Sequence, residues 1–230
     1  MNASPVRSHG ILLLDKPAGK TSFYLVSVLR KILGVKKIGH AGTLDPFATG
    51  VMVMLIGSNY TRQAEKLQNQ DKAYRVTITL GIETDSYDID GVITNKSDLV
   101  PTLDQIKDAL THFQGTVMQL PPMFSAKKQN GKKLYELARE GQTVERPPKQ
   151  ITLKTTLVDY SYPYLTLDVD CSKGTYIRTI AHDLGKLLGC YGHASTLIRT
   201  RSGPYTLEDC IPLPPRGSDI NLRDHLRCTL

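Results

Sequence analysis

Apolar and polar residues follow one another in three patterns along this chain, and each pattern predicts a different element. Ile11-Leu12-Leu13-Leu14 is unbroken and apolar, closed by Asp15-Lys16-Pro17-Ala18-Gly19: a buried strand and then a turn. From Thr21 or Ser22 to Leu33, Leu25, Val28, Leu29 and Ile32 keep helical spacing, with Ser22 as the cap and Gly34 as the stop. Val51 to Ile56 is again unbroken, a strand buried on both faces, and Thr61 to Leu67 reads as a short polar helix. Ala73 to Leu80 alternates strictly, which predicts a half-buried strand with Tyr74, Val76, Ile78 and Leu80 inside. On that pattern alone Tyr74 is a core aromatic.

The second half repeats these patterns. Thr102-Leu103-Asp104-Gln105 has the form of a capping box, and Leu103, Ile106, Leu110 and Phe113 give the stripe of the helix it opens, ended by Gly115. Leu165, Leu167, Val169 and Cys171 alternate with polar residues, predicting another half-buried strand. A helix follows, with Ile177, Ile180, Ala181, Leu184, Leu187 and Leu188 on one face and Gly189 at its end. Arg178 lies off that stripe in the first turn, where a cation opposes the helix dipole unless an anion offsets it. A carboxylate or phosphate partner for Arg178 is therefore expected.

One polar stretch departs from all of these patterns. Gly39 to Gly50 holds three glycines, and Pro46 stiffens the backbone and pushes Asp45 out of the helical region. A carboxylate on a bent, stiff loop, tied to the buried strand that follows, is a candidate reactive group. Ordinary turn chemistry accounts for an isolated Asp-Pro. It does not account for the whole twelve-residue pattern.

Composition narrows the class. At 230 residues, 40% hydrophobic and 22% charged, the chain reads as a soluble globular protein with one large domain and appended pieces. A net charge of +7 tilts the partner toward nucleic acid. Residues 81–104 carry six acids against the single Lys96, usually the mark of a solvated loop, and a magnesium site there lacks any companion motif. Residues 127–154 carry eight cations against three acids, with Gly131 and Tyr135 interleaved, a composition suited to phosphate contacts. Cys171, Cys190, Cys210 and Cys228 form no C-x-x-C pair, so reduced thiols are expected, and His182 and His193 are read as surface or capping residues rather than metal ligands. No signal-like segment or membrane-length apolar run is present, and the expected location is the cytoplasm.

Six motifs, in order from Gly10 to Arg201, resemble the bacterial TruB family of tRNA pseudouridine synthases. They are Lys16-Pro17-Ala18-Gly19-Lys20-Thr21-Ser22, Gly39 to Gly50, Lys72-Ala73-Tyr74-Arg75, Thr84 to Gly91, the Pro121 to Gly141 region and Ser172 to Thr179, with Gly192 to Arg201 as a looser match. Relatives usually show Leu-Arg-Arg where this chain has Leu197-Ile198-Arg199.

The resemblance implies an α+β pseudouridine synthase fold, a mixed and largely antiparallel sheet flanked by helices, with the site in a cleft across its middle. It implies a flexible start at 1–9, a catalytic domain over 10–201 with a basic RNA-gripping insert at about 120–154, and a short proline-containing tail at 202–230 without the small RNA-binding PUA domain that many members carry. The implied reaction converts uridine 55 in the tRNA T loop to pseudouridine, with no cofactor and no metal, in a monomer. Asp45 is then the nucleophile, Arg178 its partner and Asp88 the carboxylate behind that arginine. Tyr74 stacks on the uracil, Tyr176 and Leu197 complete the pocket, His40 packs against the rearranged RNA loop and Lys16 supports. Lys127, Lys128, Lys132 and Lys133 meet the RNA backbone. A non-catalytic RNA-folding module and a base-removing hydrolase are the competing classes.

Overall fold

The computed structural model describes residues 8–125, 128–129, 131–142, 144–215 and 220–228, with the main chain alone at 128, 129, 132, 133, 135 and 139. In chain order the elements begin with β1 (Gly10–Lys16), α1 (Ser22–Leu33), β2 (Ile38–His40), β3 (Thr49–Ile56), α2 (Ser58–Thr61) and α3 (Ala64–Gln68). Then come β4 (Lys72–Leu80), β5 (Ile82–Thr84), β6 (Ile93–Lys96), α4 (Leu103–Leu110), β7 (Gln114–Gln119), β8 (Lys128–Gln129), β9 (Lys132–Lys133) and α5 (Leu134–Arg139). The last are β10 (Lys149–Ser161), β11 (Tyr164–Cys171), α6 (Ile177–Leu187), β12 (Gly192–Ser202), β13 (Tyr205–Thr206) and β14 (Ile211–Pro212).

Residues 1–73 and 198–230 form one compact unit, and 74–197 form another. In the first, β1 pairs antiparallel with β3 along its whole length and parallel with β14, and the end of β12 runs parallel to the start of β3. Strand β3 is buried on both faces, as its unbroken apolar run demands: Val51, Val53 and Leu55 join Ile11, Leu13, Ala41, Leu67 and Tyr205 in one cluster, while Met52, Met54 and Ile56 are equally inaccessible. Each large aliphatic side chain so buried contributes about 1.5–3 kcal/mol. The segment after Ser202 returns to this unit, adding β13 and β14 and bonding Arg227 to Ile11 in both directions through the main chain.

In the second unit the strand order is β12-β4-β11-β10-β7, with β10 antiparallel to both of its neighbours. Tyr74, Val76, Ile78 and Leu80 of β4 are buried and Leu165, Leu167, Val169 and Cys171 of β11 likewise, as the alternation predicts. Thr102 caps α4 through the reciprocal capping box with Gln105. The fold is α+β, with mixed and mostly antiparallel pairing.

Three expectations need correction. The cap of α1 is Thr21, whose hydroxyl accepts from the Tyr24 amide, and Ser22 is instead recruited by a loop far along the chain. Residues 61–67 are split between α2 and α3 rather than forming one helix. Helix α6 is buried around most of its first two turns, so Arg178, Thr179 and His182 are inside although they lie off the apolar stripe, while Leu187 on the stripe is half exposed.

Candidate active site

Asp45 sits half-buried on the loop between β2 and β3 of the first unit, and the main chain around it is tied down from four directions. The Ser22 hydroxyl accepts from the Leu44 amide at 3.0 Å and donates to the Leu44 carbonyl at 3.1 Å. Lys16, wholly buried, donates to the carbonyls of Pro46 at 3.0 Å and Ala48 at 2.6 Å. Asp15 accepts from the Gly50 amide at 3.0 Å. Arg199, also buried, donates to the Val51 carbonyl at 2.7 Å, with longer bonds to Gly42 and Thr43 at 3.4 and 3.5 Å.

A buried cation is costly unless its donors are satisfied, and Lys16 and Arg199 meet main-chain carbonyls of the loop and of the start of β3. Gly50 is held at φ 100°, where a Cβ would lie 2.3 Å from the Arg199 carbonyl oxygen. Only glycine allows β3 and β12 to approach so closely at the loop's end. His40, at the end of β2, is half-buried; burial pushes its imidazole pKa below the ordinary value, the Gly42 main chain opposes that shift and the Arg199 charge adds to it.

The second unit holds a separate polar cluster at the start of α6. The Arg178 guanidinium is buried and pairs with Asp88 at 3.1 Å, while donating to the carbonyls of Ser86 at 2.8 Å and Phe124 at 2.7 Å. The anion that the sequence required for Arg178 is thus present within its own unit. Asp88 also accepts from the Ser86 hydroxyl at 2.6 Å and the Asp90 amide at 3.1 Å. Its main chain bridges to Ala194 of β12. Gln119 fixes Tyr176 at both main-chain groups, at 2.8 and 2.9 Å. Tyr74 on β4 and Leu197 on β12 are 8% and 5% exposed, so both are buried.

Sequence reasoning missed part of this cluster. The acidic run over 81–104 is not uniformly solvated, since Glu83 and Asp88 are 7% and 5% exposed. His182 and His193 are buried too, not superficial. The His182 ring stacks on Tyr87 with centroids 3.7 Å apart and lies 3.2 Å from Glu83. Burial drives its pKa down to about 4 against the opposing pull of Glu83, with Lys186 adding to the depression, so the ring is neutral at physiological pH. His193 meets the Ile82 carbonyl at 3.0 Å.

Arg199 was also missed. Its signal lay in the alternation of β12, which puts it on the same face as buried Leu197.

Of the remaining candidates, Lys127 lies outside the described residues, as do the side chains of Lys128, Lys132 and Lys133. Among the described residues no group of three or more His, Cys, Asp or Glu could hold a metal, and no helix is long and apolar enough to cross a membrane.

Comparison with known proteins follows the same residues. Residues 30–177 match the family described as TruB family pseudouridylate synthase (N terminal domain), and 178–214 match the tRNA pseudouridylate synthase B C-terminal domain. The chain is 60% identical over all 230 residues to tRNA pseudouridine synthase B of Protochlamydia amoebophila, covering 86% of that protein. It is 53% identical over 216 residues to the enzyme of the same name from Chlamydia pneumoniae, covering 94% of this chain and 89% of that one. Among solved structures, a Cbf5-Nop10-Gar1 complex is similar with a TM-score of 0.70 and 30% identity over 89% of this chain, which spans 52% of the chain it matches. An H/ACA RNP bound to a substrate RNA containing 2'-deoxyuridine gives a TM-score of 0.66 at 27% identity, over 89% of this chain and 51% of that one.

Proposed function

The chain belongs to the TruB family of pseudouridylate synthases, and from that premise we propose how its residues isomerise a uridine of tRNA to pseudouridine. The enzyme is an isomerase acting on tRNA. The reading assigns uridine 55 of the T loop as the target, Asp45 as the nucleophile and Arg178 as the cation serving it, with Asp88 behind. The observation that carries it is the fixing of the Asp45 loop by Ser22, Lys16, Asp15 and Arg199. Such restraint is what a carboxylate needs to meet a reacting carbon in one geometry.

The target base lies in a folded RNA loop and is extruded first, at a cost of a few kcal/mol that stacking and backbone contacts offset. Tyr74 stacks on the extruded uracil, Tyr176 and Leu197 close the pocket, and His40 packs against the rearranged RNA loop. The Asp45 carboxylate then attacks the sugar carbon, assists departure of the base, or adds to the uracil ring. In each route the glycosidic C–N bond breaks, the base turns within the closed pocket, and a C–C bond forms in its place. The ring carbon loses its proton and the freed nitrogen gains one, so mass is conserved.

Lys127, Lys128, Lys132 and Lys133 hold the RNA arm by phosphate contacts that carry affinity rather than sequence. Residues 10–201 carry the chemistry, the segment from 202 closes the first unit, and the protein works as a cytoplasmic monomer without a cofactor. The test is nucleoside analysis of an unmodified tRNA transcript after incubation. One pseudouridine at position 55 in RNA of unchanged mass supports the reading; free uracil with an abasic site would assign a hydrolase instead, and pseudouridine at another position would reject the target.

A further inference from the structure

Helix α1 turns Leu25, Val26, Leu29 and Leu33 inward, yet leaves Phe23 63% and Tyr24 39% exposed. Each exposed ring carries a cation. The Lys20 ammonium lies 5.0 Å from the Tyr24 ring centre and the Arg30 guanidinium 5.9 Å from that of Phe23. Phe23, Tyr24, Ser27, Arg30 and Lys31 share one face of α1 at helical spacing, about 1.5 Å of rise per residue, and Lys20 stands just before the helix. Between Asp15 and Asp45 the chain has six lysines and arginines and no acid. Exposed Lys36 and Lys37 carry that charge onward to β2, which ends at His40.

We propose that this face of α1 is a docking surface for the tRNA itself, with unpaired bases stacked on Phe23 and Tyr24 and phosphates paired with Arg30, Lys31 and Lys36. The proposal rests on tRNA being the substrate. Solubility explains exposed lysines, but it does not explain a phenylalanine held open in water beneath an arginine. Aromatic faces interleaved with cations are how proteins hold single-stranded nucleic acid, the rings taking bases of any identity and the cations tracking the backbone. An acid-free run of this length favours a polyanion over an ordinary protein surface.

The experiment uses the full chain and an unmodified tRNA transcript with three proteins: wild type, Phe23→Ser with Tyr24→Ser, and Arg30→Glu with Lys31→Glu. Equal melting temperatures establish that the exposed substitutions leave the fold intact. Kd is measured over a salt series, and pseudouridine formation is followed in single turnover at saturating enzyme. Loss of the rings weakens binding about tenfold or more. Loss of the cations does the same and makes the log Kd against log salt slope shallower by about 1.5–2, for two phosphates released. The single-turnover rate at saturation stays at the wild-type value in both. Wild-type affinity in both variants overturns the proposal and assigns the face to another occupant; a slower saturated rate also overturns it, by placing these residues in the chemistry. Wild type that binds but makes no pseudouridine overturns the assigned activity, while the binding series still decides the docking surface by itself.

Discussion

Single residues decide how the two polar clusters respond to change. Arg199 is a buried cation whose hydrogen bonds go to main-chain carbonyls and a thioether, so its charge is satisfied by the loop it holds. Arg199→Met keeps most of the volume but takes this donor from the Val51, Gly42 and Thr43 carbonyls, a loss of about 1–3 kcal/mol. The expected result is a lowered melting temperature in a protein that still folds, with kcat lowered roughly tenfold to a hundredfold and KM little changed, as the Asp45 loop relaxes. A steady-state series on tRNA reads that split.

His182 gives a prediction in pH. Its pKa is about 4 folded and 6.5 as a free side chain, so the unfolded chain takes up the proton first as pH falls. Its contribution to stability is intact above pH 6.5 and is lost progressively between 6.5 and 4, by about 2 kcal/mol at pH 5. Urea unfolding at pH 7.5 and pH 5 should therefore show a smaller acid loss for His182→Phe than for wild type. An equal loss in both would remove the buried neutral ring from the account.

At the level of elements, the closing turn of the Asp45 loop is the most constrained. Gly50→Ala places a methyl group 2.3 Å from a backbone oxygen at a positive φ, so a soluble folded product is not expected, or unfolding free energy falls by more than about 3 kcal/mol. Gly19→Ala, also at positive φ but with open space around it, should cost only about 1 kcal/mol. Chemical denaturation of the two variants checks the contrast.

The elements themselves were largely legible. The unbroken run of β3, the alternation of β4 and β11 and the capping box of α4 each carry their period in the local sequence. What failed was long-range. Thr21 and Ser22 are equally good caps by composition, and only the Leu44 loop decides between them. The acidic run looked solvated at Glu83 because His182, which lies beside it, stands far along the chain, whereas the family resemblance had already paired Asp88 with Arg178. Arg178 was the exception, since the helix dipole made its need for an anion visible before any partner was known.

For the whole molecule, a net charge of +7 makes the phosphate term in tRNA affinity depend on salt, and the steepness of that dependence counts the contacts. Weakening binding by raised salt should leave the saturated rate unchanged, because phosphate contacts position the RNA and do not act on the base. The central claim is narrower, that one carboxylate does the chemistry. Its most direct measurement is single-turnover pseudouridine formation on an unmodified tRNA transcript by wild type and by Asp45→Asn, both at enzyme concentrations that bind all of the RNA. The account predicts one pseudouridine per tRNA from wild type, and from Asp45→Asn a rate below about a thousandth of that with tRNA binding retained. Equal rates and yields from the two proteins would contradict it.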